Sequence, residues 1–384
     1  MPPLRILKYL DSTPRGGAEI QALDICRNAA RYGLEITLAT GHRGPLDDEF
    51  ISTGIRFVPL ERRAPIDLFL VSHLRRLIRE YEIDIVHGYQ PVDGIHLYLA
   101  ARRMQSVRRV LSFQGFIQDR RNRIAASFLA PRMDANIVVS DWLRDWIEVE
   151  RGIRFGRNTF TILNSADPAR LVPKGNSILQ ELGVPEPTRF VGMVGNFYKD
   201  PRKDQLTICK ALPRVFERFP NVHCLFAGRV EPGAEDKMAE CLSVVIDAGI
   251  ADRVHFLGGR SDIPDILAVL EVFIFSSLHE GLPIAAAEAM VAGVPMLVSD
   301  IGPLMEATGG GRYARVFPAG NAEALADELI ELLRDDEGRR RMATEAKRFA
   351  DAELSIDAHI RALSQLYESL TCRSPDNNGA DNGI

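Results

Sequence analysis

Short apolar runs alternate with longer amphipathic segments along the first half of the chain. The apolar runs are LRILKYL, LEITLAT, IDIVHGY, RRVLSFQGF, ANIVVS and TFTILN. The segments between them, such as IQALDICRNAARYG, place apolar residues at roughly helical spacing. Continuous apolar runs of this length are typical of strands that are buried on both faces of a parallel sheet. The pattern therefore predicts a doubly wound α/β domain.

The second half repeats this alternation independently. Its apolar runs are FVGMVGNF, VHCLFAG, VHFLG, VFIFSS and PMLVSD, and prolines and glycines interrupt the chain between the halves. We expect two Rossmann-like, doubly wound domains facing one another across a central cleft, with the last helices closing the second domain. The predicted boundaries are an N-terminal domain at 1–167, a linker at 168–187, a C-terminal domain at 188–355, a closing helix at 356–372 and a disordered polar tail at 373–384.

The stretch 276–303, SSLHEGLPIAAAEAMVAGVPMLVSDIGP, carries two carboxylates around the start of a predicted helix. A proline at the first helical position, an Ala-rich run and a terminating Gly293 predict a helix over Pro283–Ala292. Glu280 then lies in the turn before the helix, and Glu288 lies inside it. Because parallel sheets bind ligands at helix N-termini, the two carboxylates are expected to reach opposite ends of one ligand.

Composition places the chain among soluble globular proteins, with 46% apolar and 26% charged residues. The five cysteines are odd in number and scattered, without CxxC or Cys/His spacing, which favours a reducing cytoplasm and no structural metal. The N-terminus lacks the features of a signal peptide, and no apolar run reaches the length of a membrane span. We therefore expect a cytoplasmic protein.

Charge is distributed unevenly. Residues 1–170 hold 25 Lys and Arg against 20 Asp and Glu, whereas the remainder holds 22 against 32. A basic cluster in the first half is either a solvated face or a surface that attracts an anionic membrane or a phosphate-bearing acceptor. Nucleic acid is disfavoured because the cluster has few interleaved aromatics and the chain is acidic overall. The arginines of the cluster are Arg102, Arg103, Arg108, Arg109, Arg120, Arg121, Arg123 and Arg132.

Two loops carry residues suited to phosphate. Gly16 and Gly17 lie at the first strand-to-helix turn, where they either form a tight turn or let backbone amides approach a phosphate or sugar. Lys199, Arg202 and Lys203 lie in the first loop of the second half, where two cations beside a diphosphate could stabilise a leaving group. Neither GxGxxG in a strand-to-helix context nor GxxxxGK[ST] occurs, so dinucleotide binding and ATP hydrolysis have no support.

His87 and Gln114 each fall at the carboxyl end of a predicted strand. In an open parallel sheet this edge faces the ligand, so both are candidates for the acceptor side of a site. A satisfied structural side chain is the alternative for each of them.

The motifs GGAE, NFYKDPRK and HEGLPIAAAEAM together resemble the GT-B, nucleotide-sugar-dependent retaining glycosyltransferases of family 4. The resemblance covers the chain to about Leu370. The spacing from Glu280 to Glu288, followed by AMVAGVPMLVSDIG, is its most specific part, and NSAD at Asn164–Asp167 is similar to the family's NGVD segment.

The resemblance implies a role for each matching position. Glu280 would bind hydroxyls of the donor sugar, and Glu288 would bind the ribose hydroxyls. Lys203 would neutralise the diphosphate, and Gly16 and Gly17 would close on it. The implied chemistry is front-face transfer with retention, in which the departing β-phosphate takes the acceptor's proton and no metal or other cofactor is needed. The absence of a DxD motif agrees with this expectation.

Two positions depart from the family pattern. The usual Arg that accompanies the loop lysine aligns with Asn196, so Arg202 or Lys199 is expected to supply that charge. Gln114 stands where the family commonly has His, and it can bond a sugar hydroxyl but cannot share a proton. The expected catalytic set is Lys203, Glu280, Arg202 and Gln114, and the expected donor-binding set is Gly16, Gly17, Asn196, Lys203, Arg260, Glu280, Gly281, Leu282, Pro283, Ile284 and Glu288.

The expected function is hexosyl transfer from a nucleotide-diphosphate sugar, UDP-linked in preference to GDP-linked, to a polysaccharide, lipopolysaccharide or lipid-linked glycan. Attachment to the inner face of a membrane is a further hypothesis. One alternative is a sugar-nucleotide epimerase or hydrolase, which needs an acid/base pair, but Glu280 and Glu288 lie around one helix start rather than opposed across a cleft. The other alternative is a catalytically silent sugar-binding protein, which the departures at Asn196 and Gln114 would suit.

Overall fold

The computed structural model describes residues 2–175, 177–184 and 187–371. The described chain divides into two compact units. The first unit contains the chain up to Ile162 and again from His359, and the second unit is Leu163–Ala358. The tail predicted at 373–384 lies outside the described residues.

The first unit is a parallel sheet of seven described strands in the spatial order β3-β2-β1-β4-β5-β6-β7, with helices between successive strands. The strands are β1 Leu4–Leu10, β2 Leu34–Thr40, β3 Arg56–Pro59, β4 Ile85–Gly88, β5 Arg108–Phe113, β6 Ala135–Val138 and β7 Thr159–Thr161. The helices are α1 Gly17–Asn28, continued by a 3₁₀ turn at Ala29–Tyr32, α2 Asp47–Ser52, α3 Leu68–Glu80, α4 Pro91–Ala101, α5 Arg120–Leu129 and α6 Asp141–Arg151.

Local sequence explains these elements. The apolar strand β1 is an interior strand of the sheet, between β2 and β4, and Ile6 and Leu7 on its two faces are fully buried. The Asp67 carboxylate caps α3 by accepting from two backbone N–H groups, and the Ser140 hydroxyl caps α6. Gly152 ends α6 in the left-handed conformation, at φ 67°, which glycine adopts without steric cost.

The second unit is a parallel sheet of six described strands in the order β10-β9-β8-β11-β12-β13. The strands are β8 Arg189–Val194, β9 Val222–Ala227, β10 Val254–Gly258, β11 Leu270–Phe275, β12 Met296–Ser299 and β13 Arg315–Phe317. The helices are α7 Ser177–Leu182, α8 Gln205–Arg218, α9 Glu235–Asp247, α10 Ile263–Val269, α11 Ile284–Ala292, α12 Gly302–Ala307, α13 Ala322–Arg334 and α14 Asp336–Glu353, with a 3₁₀ turn at Ala251–Arg253. The prediction of two Rossmann-like α/β domains is confirmed.

Helix α11 has the bounds that the sequence predicts, to within one residue. Pro283 is its N-cap, with extended backbone, rather than its first helical residue. Gly293 ends it at φ 77°, where a residue with a Cβ would be strained. The helix is buried almost all round because it lies between β11 and β12 in the chain and packs in the core of the second unit.

The last helix packs on the first unit, so the expectation that it closes the second domain is wrong. Helix α15, Ile356–Thr371, begins in the second unit, but its residues from His359 onward belong to the first. Tyr367 is fully buried, and its hydroxyl lies 2.6 Å from Nδ1 of His87 on β4. Arg108 donates from Nε to the carbonyl oxygen of Leu370 at 2.9 Å. The apolar stripe of the helix therefore completes the first core.

The segment predicted as a linker belongs to the second unit. Leu171 and Ile178 are buried in the core of that unit. The Asp265 carboxylate accepts from the backbone N–H groups of Lys174 and Gly175, at 2.6 and 3.0 Å. Prolines and glycines interrupt regular structure here, but they do not prevent the chain from packing.

Two sequence expectations concern thiols and membrane spans. The four cysteines within the described residues, Cys26, Cys209, Cys224 and Cys241, are buried and free, and Cys372 lies outside that range. Over the described part of the chain, every helix falls short of the length and apolar character that crossing a membrane requires.

Candidate active site

Lys203 and Glu280 meet where the loops after β8 and β11 run side by side. The backbones of these loops pair in antiparallel fashion at Lys203 and Ser277, which fixes both loops at the carboxyl edge of the second sheet. Lys203 Nζ lies 2.7 Å from Glu280 Oε1, and Ser277 Oγ donates to the same oxygen at 2.9 Å. The structure thus brings the predicted cation and the first predicted carboxylate into one ion pair.

This ion pair is largely removed from water. The side chains of Lys203 and Glu280 are 10% and 11% exposed, and the Lys203 ammonium also lies 4.0 Å from the centre of the Phe275 ring. Burial lowers the pKa of the Lys203 ammonium from its usual value, while the charge and hydrogen bond of Glu280 oppose that shift. A partly desolvated cation acts more strongly on a nearby anion than an exposed one.

Arg202 is held by its own loop. Its guanidinium forms an ion pair with Asp200 at 2.7 Å and lies 4.6 Å from the centre of the Tyr198 ring. Hydrogen bonding from Arg202 holds the pKa of Asp200 below its ordinary value. Asp200 therefore compensates part of the positive charge of Arg202. A cation that binds a diphosphate acts most strongly when its charge is not compensated in this way.

Glu288 is buried on α11 and forms an ion pair that sequence reasoning missed. Arg170 Nη2 lies 2.7 Å from Glu288 Oε1, with the two side chains 18% and 9% exposed. Nearby, Asn164 Nδ2 donates to the carbonyl oxygen of Leu282 at 2.9 Å. Asn164 and Arg170 both belong to the segment that begins with NSAD. The similarity of NSAD to the family's NGVD segment was therefore the one sequence signal that could have pointed to these contacts.

The entrance to α11 is formed largely by backbone. Gly281 and Leu282 lie in the turn, Pro283 is the N-cap, and Ile284 is the first helical residue. Leu282 and Ile284 are nearly inaccessible to water, so their side chains pack inward. The N–H groups of the first helical turn lie outside the helix's own hydrogen-bond ladder and carry the positive end of the helix dipole.

Asn196 and Arg260 have structural partners. Asn196 donates from Nδ2 to Glu231 at 3.0 Å and accepts from the backbone N–H of Arg229 at 3.1 Å, which ties the ends of β8 and β9 together. Arg260 forms ion pairs with Glu181 and Asp262 at 2.9 and 2.7 Å. These contacts leave the predicted donor-binding roles of Asn196 and Arg260 as predictions.

The first unit has a cleft of about 540 Å³ at the carboxyl edge of its sheet. Gln114 lines the cleft, and its Oε1 is buried without a hydrogen-bond partner in the described part of the chain. An orphaned buried acceptor of this kind is expected to receive a donor from a ligand or water. The other lining residues are Leu10, Asp11, Ser12, Pro14, Ala18, Glu19, His42, Arg62, Arg63, Ala64, Pro65, Tyr89, Gln90, Val92, Asp93, Asp119, Arg121 and Asn122.

His87 is not among the residues that line this cleft. Its side chain is buried, with Nδ1 at 2.6 Å from the Tyr367 hydroxyl and Nε2 at 2.7 Å from Ser112 Oγ. Burial holds the pKa of His87 well below its ordinary value, so the ring is neutral at physiological pH. Both ring nitrogens of His87 have partners inside the first unit, which favours the structural alternative, and its contact with an acceptor stays a prediction.

A charged cluster in the cleft was not predicted. Arg62 lies 2.5 Å from Asp11 and 3.9 Å from Asp93, and Asp93 is buried on the first turn of α4. Burial, assisted by the nearby charge of Asp11, raises the pKa of Asp93 to about 7. The three residues are far apart in the chain and lie in unrelated local patterns, so no sequence signal marks them.

Gly16 and Gly17 form the start of α1. Gly16 is the N-cap, with an extended backbone at φ −115°, and Gly17 is the first helical residue. Neither glycine has a positive φ. Pro14, Ala18 and Glu19, on either side of the pair, line the cleft of the first unit. The pair therefore lies beside that cleft, and its predicted contact with a diphosphate stays a prediction.

No group of three or more His, Cys, Asp and Glu side chains is placed to hold a metal ion, so far as the described residues extend.

Two family models match the chain, one to each half. The model described as Glycosyltransferase Family 4 matches residues 15–170, and the model described as Glycosyl transferases group 1 matches residues 176–349. Together they account for most of the chain, and the second match includes both Lys203 and the helix that carries Glu288.

Relatives of known name agree with these matches. The chain is 28% identical over 370 residues to phosphatidyl-myo-inositol mannosyltransferase of Mycobacterium leprae (strain TN), covering 92% of this chain and 93% of that protein. It is 27% identical over 257 residues to the lipopolysaccharide core biosynthesis mannosyltransferase LpsB of Rhizobium meliloti (strain 1021), covering 65% of this chain and 70% of that protein.

The fold is similar to that of solved glycosyltransferases. Anabaena Alr3699/HepE, solved in complex with UDP and glucose, superposes with a TM-score of 0.82 at 21% identity, covering 95% of this chain and all of that chain. Two parallel-sheet Rossmann-like domains are the hallmark of the GT-B fold. From its two family models and its fold, the chain belongs to family 4 of the group 1 glycosyltransferases and has the GT-B fold.

Proposed function

We propose that the protein is a metal-independent retaining hexosyltransferase, which uses a nucleotide-diphosphate hexose and a glycan or lipid-linked glycan acceptor. UDP is the favoured nucleotide and GDP the second candidate. The observation that carries the proposal is the buried Lys203–Glu280 pair beside the N-terminus of α11. A desolvated cation and a hydrogen-bond acceptor thus lie on two paired loops, next to the amides at the start of α11.

Each group has a separate task in the proposed reaction. Glu280 accepts hydrogen bonds from donor-sugar hydroxyls. The Lys203 ammonium has three N–H donors, of which Glu280 accepts one, and it directs its charge to the diphosphate. Helix-end amides at α11 bind the same phosphates. As the glycosidic bond breaks, the β-phosphate oxygen takes the proton of the acceptor hydroxyl, so stabilising the phosphate lowers the barrier.

The acceptor is proposed to bind in the cleft of the first unit. Gln114 Oε1 and Asp11 Oδ1 are buried there without a hydrogen-bond partner within the described residues, although His42 lies 3.3 Å from Asp11 Oδ1. Both atoms are hydrogen-bond acceptors, which suits a hydroxyl-bearing ligand. The two relatives named above are mannosyltransferases, and this supports a hexose as the transferred group.

Thermal unfolding with a panel of nucleotides and nucleotide sugars tests the function. A ligand at 100 times its dissociation constant stabilises the folded protein by about 2.7 kcal/mol, which is readily measured as a rise in Tm. We expect UDP, GDP or one of their hexose conjugates to raise Tm. A panel in which no nucleotide has any effect would contradict the proposal. The epimerase or hydrolase alternative predicts that a bound nucleotide sugar is consumed without any acceptor.

Attachment to an anionic membrane is a second part of the proposal. Ile66, Leu68 and Phe69, large apolar residues next to the cleft-lining residues 62–65, are 57%, 72% and 73% exposed. The N-terminus of α5, with its exposed arginines, also lines the cleft. Apolar side chains that enter the interface, with cations that attract anionic lipid, are the combination that peripheral binding needs.

Replacing Leu68 and Phe69 together by serine is expected to weaken binding to vesicles of anionic lipid by about tenfold, because two exposed apolar side chains no longer enter the interface. Binding of the unaltered protein should grow with the anionic lipid content and fall with salt. Co-sedimentation measures both effects. Val149→Ser, at another exposed apolar position of the first unit, is the control and should bind normally. Equal binding of the unaltered protein to neutral vesicles at every salt concentration would rule out the electrostatic part.

A further inference from the structure

Arg170 lies on a segment, 163–171, that starts where the chain enters the second unit. The segment is fixed to that unit, because Ala166 forms a parallel bridge with Ser355 through backbone hydrogen bonds to Leu354 and Ile356 at 2.9 Å each. Within the segment, the backbone N–H of Arg170 donates to the carbonyl oxygen of Asp167 at 3.0 Å and closes a turn. Its backbone is therefore held independently of any ligand. Side chains that project from it have defined positions.

Two side chains of this segment contact the element that carries the predicted donor site. Asn164 bonds the Leu282 carbonyl in the turn before α11, and Arg170 pairs with Glu288, the fifth residue of the helix. The Arg170 contact, at 2.7 Å, joins two side chains that are both mostly buried. In such surroundings, a charged pair holds its geometry more strictly than an exposed pair does.

We propose that Arg170 is a positioning residue, which sets the Glu288 carboxylate for the ribose hydroxyls of the bound nucleotide. The inference rests on the proposed function and adds to it a determinant of specificity for ribonucleotides. Arg170 bonds Oε1, and a carboxylate can accept about four hydrogen bonds in all, so ribose binding is compatible with this ion pair.

The ion pair acts on Glu288 in two ways. The guanidinium, at 2.7 Å, compensates the charge of the buried carboxylate, and a charged acceptor forms stronger hydrogen bonds than a neutral one. It also holds one rotamer of Glu288, so that less side-chain freedom is lost when a nucleotide binds. Without Arg170, the carboxylate would be left buried with less compensation of its charge, and it would turn away from this position.

Calorimetry with a nucleoside diphosphate and its 2′,3′-dideoxy form tests the proposal. The nucleotide is UDP or GDP, whichever binds the unaltered protein more tightly. We expect the unaltered protein to prefer the ribose form by about tenfold or more, as for a hydrogen bond to a charged group. Arg170→Met should reduce this preference to about threefold or less, with little change in affinity for the dideoxy form. Arg170→Lys should lie between the two.

Matched variants separate positioning from other roles. Glu288→Gln should lose the preference as Arg170→Met does, and the double variant should lose no more than either single variant. Arg214→Met removes an exposed arginine that is paired with Asp327, and it should leave the preference unchanged. Circular dichroism and Tm establish that each variant is folded.

Four outcomes would overturn the proposal. One is a full ribose preference in Arg170→Met. Another is an equal loss of affinity for both nucleotide forms, which would indicate that Arg170 contacts phosphate directly or only supports the fold. A third is the absence of any preference in the unaltered protein, which would remove Glu288 from the ribose while leaving nucleotide binding intact. Failure of the unaltered protein to bind any nucleotide would overturn the proposed function together with this inference.

Discussion

Lys203→Ala is expected to lower turnover by about 100-fold or more while leaving the protein folded. The ammonium is the cation that the structure places at Glu280 in a largely buried site, and groups that stabilise transition-state charge in such sites contribute about 3–4 kcal/mol. Glu280 also loses its partner, so the position of the donor sugar is disturbed as well. Product formation from nucleotide sugar and acceptor measures the effect.

The control for this prediction is Lys210→Ala, which removes an exposed lysine from α8 in the same unit. It should leave turnover within about twofold of the unaltered protein, since surface charges far from the reacting groups contribute little. Lys203→Arg keeps the charge but not the compact shape of the ammonium, and it should recover only part of the rate. Turnover that is undiminished in folded Lys203→Ala would remove this residue from the phosphate role.

Tyr367→Ala is expected to lower the free energy of unfolding of the first unit by about 3–5 kcal/mol. The side chain is fully buried on α15, and its loss leaves a cavity against β4 as well as a buried His87 with one ring nitrogen unpaired. Hydrogen exchange at residues 85–88, followed by mass spectrometry, reports this local stability. Exchange in the second unit should be unchanged.

Tyr367→Phe separates the two contributions. It retains the ring and removes only the hydroxyl that contacts His87 Nδ1, so we expect a smaller cost of about 1–3 kcal/mol. If the two variants exchange at the same rate as the unaltered protein, α15 does not support the first core, and the assignment of this helix to the first unit is wrong.

The elements that depend on local pattern were predictable from sequence. Strand β2, Leu34–Thr40, coincides with the run LEITLAT, since a strand buried on both faces is mostly apolar. The helix with Glu288 was predicted to within one residue, because proline and glycine mark its ends. Short elements such as α2 and β3 were missed, since six and four residues are too few to establish a period.

Contacts between distant residues were not predictable. Asn164 and Leu282 are 118 residues apart, and the Arg62–Asp11 contact spans 51. An arginine in an irregular stretch has no feature that distinguishes a buried ion pair from a solvated side chain. Lys203 and Glu280 were both expected in loops at the carboxyl edge of one parallel sheet, but the ion pair between them was not predicted.

The amphipathic pattern of the last helix likewise could not predict which distant part of the chain the helix packs against. Its apolar spacing predicts that one face is buried, but the pattern does not name the surface that covers it. The chain returns to the first unit only because the segment 163–358 is inserted between its parts. Periodicity contains no information about such a return.

Because α15 returns to the first unit, the two units become complete in a fixed order during protein synthesis. The ribosome completes strands β1 to β7 and then makes the 196 residues Leu163–Ala358 before α15 is available. At ordinary elongation rates that interval is about 10–40 s. Throughout it, the surface of the first sheet that Tyr367 later covers is exposed to water and to chaperones. The nascent chain is thus expected to finish the second unit first, although the first unit is begun earlier.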